Sequence, residues 1–288
     1  MAATGVALLI GVMILFGEPT DDGAPLSLKG GESDAKGTNY ELVWSDEFEV
    51  DGKPDPSKWD FEEGFLRNRE LQWYQASNAR CVGGNLVIQA RQERVENPIF
   101  RSDSGDWRAS RRYAEYTSAS LITKPHLAWT YGRVEVRARI PIDKGAWPAI
   151  WTTGLGRWPD AGEIDIMEYY EGMLLANFVH ADEDGRDKWK DSKHPLIKFA
   201  GRNWEKDFHV WVMEWSTDEI RLYVDEMLLN SFTVRDAASA KVPGFNPFEK
   251  PHRLRLNLAI GANGGDPSAA AFPLRYEIDY VRVYQLKE

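Results

Sequence analysis

Strand periodicity is clearest in Gly132-Arg133-Val134-Glu135-Val136-Arg137-Ala138-Arg139-Ile140. From Val134 to Ile140 the even-numbered residues are apolar and the odd-numbered residues are charged. This is the period of a β-strand with one buried and one solvated face. Because helical periodicity is scarce, the pattern predicts an all-β fold, a two-sheet antiparallel β-sandwich. The same alternation recurs in Leu86–Arg91, Ile220–Asp225, Arg253–Ile260 and Tyr276–Tyr284.

Composition narrows the class of protein. The chain has 288 residues, of which 43% are hydrophobic and 28% are charged, as in soluble globular proteins. The formal net charge of −10 argues against nucleic acid as a partner, since nucleic-acid binders carry basic patches. Cys81 is the only cysteine, so no internal disulfide can form. Twelve Trp, eleven Tyr and twelve Phe supply aromatic surface for a core and for stacking on sugars.

The N-terminal region predicts export. Residues 1–17 contain an apolar run from Val6 to Phe16, which is shorter than a membrane span and has the length of a signal-peptide core. No Lys or Arg precedes the run and the cleavage site is poor, so an uncleaved tail or a membrane anchor is the alternative. Residues 18–38 are interpreted as a disordered linker and residues 39–288 as the folded domain. We expect a secreted or periplasmic monomer with no stable membrane span after signal removal.

Three acids mark the predicted centre of chemistry in the stretch from Asp160 to Tyr170, which is interpreted as a strand. Glu163 and Asp165 are two residues apart and therefore share a face. Glu168 is five residues from Glu163, so it reaches that face only if a β-bulge at Ile166-Met167 adds one residue. Crowded acids tend to hold protons, and one ionised and one protonated carboxyl are what glycoside hydrolysis requires.

The same acids have two simpler interpretations, a solvated strand face or a divalent-metal site. The flanking tryptophans Trp147, Trp151 and Trp158 favour chemistry, because a solvated face needs no aromatic surroundings. A metal site usually takes oxygen ligands from several elements or a histidine partner, and the local sequence supplies neither.

The flanks and the acids together resemble glycoside hydrolase family 16. The runs Gly145–Trp151 and Trp158–Glu168 are similar to its laminarinase branch, whose signature is E-x-D-x-x-E with a bulge. The lichenase branch has one residue fewer between the second and third acids. Further matches follow in order over nearly the whole domain, at Leu42–Phe48, Asn68–Tyr74, Gly84–Leu86, Tyr116–Ala119, Phe208–Trp211, Tyr223–Asp225, Asn257–Gly261 and Asp279–Tyr284.

The resemblance implies a jelly roll with a concave substrate cleft, and it assigns roles to the three acids. Glu163 corresponds to the nucleophile, Asp165 to an assisting carboxylate and Glu168 to the general acid/base of a double displacement. No cofactor is implied for catalysis.

The resemblance also implies binding residues. The candidates for substrate contact are Asn68, Glu70, Trp147, Trp151, Trp158 and His180. Core packing is the alternative for the tryptophans, and a hydrogen-bonded histidine without chemistry is the alternative for His180. A structural calcium would use backbone oxygens near Glu47 and Gly84 and the carboxylate of Asp279. An ordinary salt bridge is the alternative for Asp279.

Two segments bear on the substrate. The insertion from Ala181 to Ile197 departs from the family pattern and is expected to overhang the cleft. The segment Arg101–Arg112 is either a solvated loop or a contact for an anionic galactan. Four functions follow as hypotheses: an endo-acting retaining β-1,3- or mixed-linked glucanase, a marine galactan hydrolase, a transglycosylase, and a glucan-binding protein without catalysis.

Overall fold

The alternating stretches form strands in the computed structural model, which describes residues 39–199, 204–239 and 241–287. The predicted signal peptide, residues 1–17, and the predicted linker, residues 18–38, lie outside the described residues. Across the described ranges, no helix has the length and apolar character needed to cross a membrane.

Twenty strands are present in the described residues. In chain order they are β1 (Tyr40–Asp46), β2 (Trp59–Glu62), β3 (Gln72–Tyr74), β4 (Ala79–Cys81), β5 (Leu86–Ala90), β6 (Val95–Glu96), β7 (Tyr113–Ala114), β8 (Tyr116–Ser118), β9 (Ser120–Thr123), β10 (Gly132–Arg139), β11 (Ala146–Gly154), β12 (Glu163–Tyr170), β13 (Met173–Ala181), β14 (Asp187–Lys190), β15 (Lys193–Pro195), β16 (His209–Trp215), β17 (Glu219–Val224), β18 (Met227–Thr233), β19 (His252–Ile260) and β20 (Leu274–Leu286).

Helices are short where the structure describes the chain. There is one four-residue α-helix, α1 (Trp107–Ser110). The 3-10 helices are Ala76–Asn78, Leu196–Lys198, Trp204–Lys206, Val234–Ala237, Pro247–Glu249, Ala262–Gly264 and Pro267–Ala269.

Two large antiparallel sheets contain most of the strands. The first, called the outer sheet here, has the order β18-β17-β16-β10-β20-β5-β4, with β1 paired to β20. The second, called the cavity sheet, has the order β14-β13-β12-β11-β19-β9-β2, with β15 paired to β13. Two small two-stranded sheets, β3-β8 and β6-β7, complete the fold. The predicted all-β sandwich is confirmed.

The hydrophobic core contains side chains from both large sheets. Val136 of β10 and Val281 of β20 are fully buried, and so are Ile150 of β11, Ile164 of β12 and Leu256 of β19. Burying one such side chain contributes about 1.5–3 kcal/mol. Alternate side chains of each cavity-sheet strand point into the core, so the side chains between them point to the opposite face of the sheet.

A β-bulge interrupts the register of β12. Trp151 lies opposite Asp165 and Ile150 lies opposite Met167, so Ile166 has no partner of its own on β11. The pairing of β12 with β13 shifts at the same place. Both Ile166 and Met167 are buried in the core. The extra residue turns the third acid onto the face of the first two, as the spacing predicted.

Candidate active site

A cavity of about 790 Å³ lies over the cavity sheet, and Glu163, Asp165 and Glu168 all line it. The acids share one face of the cavity sheet with their partners on the neighbouring strands, because directly opposite residues lie on the same face of a sheet. The cavity is also lined by Arg67, Asn68, Glu70, Trp147, Trp151, Thr153, Trp158, Tyr170, Asn177, Asp187, Trp189, Asp191, Lys193, Arg255, Asn257 and Asn263, among others.

Gly162 sets the start of the acid strand. Its φ of +75° lies in the left-handed region that favours glycine. A Cβ atom at this position would come within 2.8 Å of the Cβ of Pro247. A larger residue would therefore strain the backbone immediately before Glu163.

Glu168 is held by two donors. The indole nitrogen of Trp147 donates to Oε1 at 2.8 Å, and the amide nitrogen of Asn177 donates to Oε2 at 3.0 Å. The pKa of Glu168 is raised to about 7, chiefly by burial. The hydrogen bonds from Trp147 and Asn177 oppose the increase, and the negative charges of Glu163 and Asp191 add to it. Near neutral pH this carboxyl can therefore both give and accept a proton.

Asp165 lies between the two glutamates and is 3% exposed. Burial raises its pKa well above the ordinary value, and the charges of Glu168 and Glu163 add to the effect. A hydrogen bond connects Asp165 to Glu163, and it raises the pKa of Asp165 while it lowers that of Glu163. Asp165 therefore keeps its proton and donates it in this hydrogen bond.

Glu163 has the best-stabilised negative charge of the three acids. Burial raises its pKa, but hydrogen bonds from Asp165 and Trp158 and the positive charges of Arg67 and Arg255 act in the opposite direction. The cavity thus contains one carboxylate stabilised as an anion and, on the same strand face, one carboxyl that holds a proton up to about neutral pH.

Most of the predicted substrate residues face the cavity. Trp147, Trp151, Trp158, Asn68 and Glu70 all line it. Trp158 is the most accessible tryptophan of this set, at 45% exposure, whereas Trp147 is 7% exposed and is committed to Glu168. Glu70 is nearly buried and accepts hydrogen bonds from Asn68 and from the neighbouring Gln72.

His180 does not lie where it was predicted. In β13 the residues Leu175 and Asn177 face the cavity, so His180, an odd number of residues away, faces the core side. Its ring packs beside Phe232 and Phe248, with centroid distances of 5.7 Å and 6.5 Å. The expected contact of His180 with substrate is therefore corrected to a packing role.

The acidic side chains at the predicted calcium site form ion pairs with arginines. Among the residues described, no group of three or more His, Cys, Asp or Glu side chains could hold a metal ion. Arg137 Nη1 lies 2.5 Å from the carboxylate of Asp279, and Arg282 donates to both oxygens of Glu47. Gly84 lies in the turn between β4 and β5. Arg137 thus pairs with the one carboxylate that was predicted to bind calcium, and the structural calcium is not confirmed.

The arginines between Arg101 and Arg112 support a neighbouring loop instead of lining the cavity. The guanidinium of Arg108 donates to the carbonyl oxygen of Leu66, and that of Arg111 donates to the carbonyl oxygens of Glu70 and Arg69. These bonds hold the chain that carries Asn68 and Glu70. The segment therefore shapes the cavity wall without contributing a lining residue.

Several lining residues were not predicted. Asn177 could have been found from strand parity, because it is directly opposite Asp165. Arg67 and Arg255 gave no local signal. The insertion from Ala181 to Ile197 contributes Asp187, Trp189, Asp191 and Lys193, in agreement with the expectation that it overhangs the cleft.

The profile of glycosyl hydrolases family 16 matches residues 72–282. The chain belongs to glycosyl hydrolase family 16. As a member of that family it is a glycosyl hydrolase, which agrees with the paired carboxyls of the cavity.

Relatives of this family 16 chain include a β-glucanase of Rhodothermus marinus, 38% identical over 285 residues that cover 91% of each chain. The catalytic domain of an endo-1,3-β-glucanase (laminarinase) from Thermotoga petrophila has a TM-score of 0.71 at 32% identity, covering 87% of this chain and 100% of that one. A structure from work on endo-acting O-glycanases of the human gut microbiota, which initiate mucin breakdown, has a TM-score of 0.79 at 34% identity, covering 87% and 92%.

Proposed function

We propose that this protein is an endo-acting retaining hydrolase of β-1,3- or mixed-linked β-glucan. The observation that carries the proposal is the pair Glu163 and Glu168, which the β12 bulge brings onto one face of the strand. Cations and hydrogen bonds favour the carboxylate form of Glu163, whereas the pKa of Glu168 is raised to about 7. A retaining glycosidase needs one carboxylate to attack and one carboxylic acid to protonate.

The proposed reaction is a double displacement. Glu163 attacks the anomeric carbon while Glu168 protonates the leaving oxygen, which gives a glycosyl-enzyme ester and a free chain end. Glu168, now a carboxylate, takes a proton from water, and the water oxygen attacks the same carbon and releases Glu163. Asp165 donates its hydrogen bond to Glu163 and so lowers the cost of restoring the carboxylate. Each step uses groups that line the cavity.

Two observations support β-glucan as the substrate. A relative that aligns with 91% of this chain is a β-glucanase, and the laminarinase catalytic domain is matched over its whole length. The cavity supplies exposed aromatic surface at Trp158 and Trp189, which suits the C–H faces of pyranose rings. A second candidate is a galactose-containing or mucin-type glycan, because the O-glycanase structure has a TM-score of 0.79 and the laminarinase structure has one of 0.71.

Product analysis separates these candidates. The native protein is incubated with laminarin, lichenan, agarose, porphyran, carrageenan and mucin O-glycans, and the products are sized. We expect short oligosaccharides of mixed length from laminarin or lichenan. Products from galactans or mucin alone would establish the second candidate, products longer than the substrate would indicate transglycosylation, and no products from any polymer would reject the hydrolase proposal.

The pH profile should depend on Trp147. With the pKa of Glu168 at about 7, kcat/KM should fall as pH rises through about 7, since the general acid loses its proton. The Trp147 indole stabilises the carboxylate form, so Trp147→Phe should raise the pKa of Glu168 and move the falling limb to higher pH. The profile is measured from pH 4 to 9, with Trp189→Phe as a control that leaves the limb in place. A limb that moves to lower pH in Trp147→Phe would contradict the assignment.

Trp189 should act as a remote sugar platform. It is in register with Val179, which is in register with Glu163, so it lies two strands from the reacting centre, about 10 Å away. The side chain is 44% exposed and its indole nitrogen donates to Asp187 at 2.7 Å. Trp189→Ala should lower kcat/KM about tenfold for long oligosaccharides, a change of about 1.4 kcal/mol, and leave the shortest substrates unaffected.

The control for this prediction is Leu228→Ala, which removes a comparably exposed apolar side chain away from the cavity. Equal losses for short and long substrates in Trp189→Ala would point to a disturbed cavity wall instead of a sugar platform.

Calcium is expected to have no effect on stability. Because Arg137 already neutralises Asp279, EDTA should leave the melting temperature unchanged and added calcium should not raise it. The measurement is thermal unfolding by circular dichroism with and without each reagent. A rise in melting temperature with calcium that disappears in Asp279→Asn would restore the structural calcium predicted from the resemblance.

Export remains a proposal that rests on the sequence. The apolar run from Val6 to Phe16 is the length of a signal-peptide core. Action outside the cytoplasm would suit an enzyme whose substrate is a polymer too large to enter a cell. N-terminal sequencing of the protein recovered from the medium or the periplasm tests both the export and the cleavage.

A further inference from the structure

Charges of opposite sign flank β12 on its two sides. On the β11 side, Thr153 lies directly opposite Glu163. The guanidinium of Arg255, from β19, donates a hydrogen bond to the hydroxyl of Thr153. Arg255 lines the cavity, and only 17% of its side chain is exposed. The largely buried guanidinium of Arg255 therefore contacts Thr153, the residue that pairs with Glu163 on β11.

Arg67 adds a second cation on this side. The guanidinium carbons of Arg67 and Arg255 lie 5.0 Å and 4.8 Å from the ring centroid of Trp151. Both arginines form ion pairs with the same carboxylate, Glu62, at 2.9 Å and 3.8 Å. Glu70 is 3.9 Å from Arg67, but burial raises the pKa of Glu70 and so reduces its hold on negative charge.

The surrounding groups do not cancel this positive charge. Arg253, opposite Thr153 on β19, and Lys124 share one carboxylate, that of Asp60. Two shared carboxylates, Glu62 and Asp60, thus pair with four cations, and Glu70 adds a longer contact to Arg67. Glu163 lies within the electrostatic reach of both Arg67 and Arg255, and both arginines lower its pKa.

The β13 side has the opposite character. Asp191 lines the cavity, and the backbone nitrogen of the next residue, Ser192, donates to the side-chain oxygen of Asn177 at 3.3 Å. The amide nitrogen of Asn177 donates in turn to Glu168 at 3.0 Å. Asp191 and Lys193 both line the cavity and are both exposed, so water weakens the field of each charge.

We propose that Arg255 and Arg67 are positioning residues that keep negative charge on Glu163, and that Asp191 keeps the proton on Glu168. An adjacent cation favours the ionised form of a carboxyl, and an adjacent anion disfavours it. Two chemically identical side chains on one strand thereby receive different tasks. The inference rests on the proposed glycosidase function and adds the residues that separate the two roles.

The electrostatic directions agree with the geometry. Burial lowers the pKa of Arg255 to about 10, as expected for a cation with too little compensating negative charge, and Glu163 and Glu62 act against that lowering. Asp191 raises the pKa of Glu168 after burial and Glu163. The other groups near Glu168 are the neutral donors Trp147 and Asn177, the protonated Asp165 and the phenol of Tyr170, and all four are uncharged near neutral pH.

The test is the pH profile of kcat/KM for native protein, Arg255→Met, Arg255→Lys and Asp191→Asn. Arg255→Met should move the acidic limb, which reports ionisation of Glu163, to higher pH by roughly 0.5–1 unit, and Arg255→Lys should restore most of it. Asp191→Asn should move only the falling limb, to lower pH. Arg221→Met, which removes an exposed arginine of the outer sheet, should move neither limb.

The outcomes are separable. An active native enzyme whose acidic limb stays in place in Arg255→Met, or whose falling limb stays in place in Asp191→Asn, overturns this inference and leaves the proposed function intact. Inactive native protein rejects the proposed function, and the carboxyl ¹³C shifts of Glu163 and Glu168, titrated in the same variants, then test the charge assignment without turnover. If Arg255→Met fails to fold, Arg67→Met replaces it, because loss of the second cation should also move the acidic limb to higher pH.

Discussion

Replacing Glu163 by glutamine is expected to lower kcat on the preferred glucan by at least about 10⁴-fold. The amide has the size of the carboxylate and still accepts a hydrogen bond from Trp158, but it cannot form the glycosyl ester. Initial rates of reducing-sugar release measure the loss. Because burial opposes the ionisation of Glu163, the variant should be at least as stable as the native protein in thermal unfolding.

The matched control is Glu226→Gln, which neutralises an exposed glutamate in the turn between β17 and β18. Its activity should equal that of the native protein. If Glu163→Gln retains activity within tenfold of native, the nucleophile is another group and the proposed double displacement is wrong.

Replacing Glu168 by glutamine should lower kcat on polysaccharide by roughly 10²–10⁴-fold, the range expected for losing general acid–base catalysis. The loss should depend on the leaving group, because a dinitrophenyl glycoside departs without protonation. Azide should restore turnover of such a substrate, since an anion attacks the glycosyl-enzyme without needing a base. The measurements are rates on both substrates and the anomeric configuration of the glycosyl azide.

Two results would contradict this role for Glu168. One is an equal loss of kcat/KM on polysaccharide and on the activated glycoside, which would indicate structural damage instead of a missing proton. The other is a glycosyl azide of inverted configuration after rescue of this variant, which would rule out a covalent glycosyl-enzyme intermediate.

The fold was predictable because its signal is local. In β10, apolar and charged residues alternate without a break, and the strand appears with bounds Gly132–Arg139. The bulge followed once the three acids were assigned to one face, since strand parity then requires an extra residue between Asp165 and Glu168. The strand needs only the two-residue repeat and one buried face, and the bulge also needs the chemical argument that the acids act together.

Position in the family pattern was a weaker guide than strand parity. His180 was assigned to substrate because a histidine follows the acids in similar proteins, but its register places it with the core phenylalanines. The pairing of β12 and β13 assigns that face to Asn177 instead, as the partner of Asp165.

Ion pairs between residues far apart in the chain could not be predicted from the sequence. Arg67 and Arg255 are far apart in the chain and meet only because both reach Glu62. The same limit applies to Asp279, whose partner Arg137 lies on a different strand of the outer sheet. No local pattern distinguishes such a pair from a carboxylate that awaits a cation.

The bulge in β12 also bears on how such sites can change during evolution. If either Ile166 or Met167 were deleted, the acids would follow one another at every second position, and an unbroken strand would present all three on one face. The five-residue spacing with a bulge and the four-residue spacing without one are therefore interchangeable solutions, separated by a single codon. A one-residue deletion, which inverts the side chains of an ordinary strand, would here preserve the reacting groups and alter only their separation.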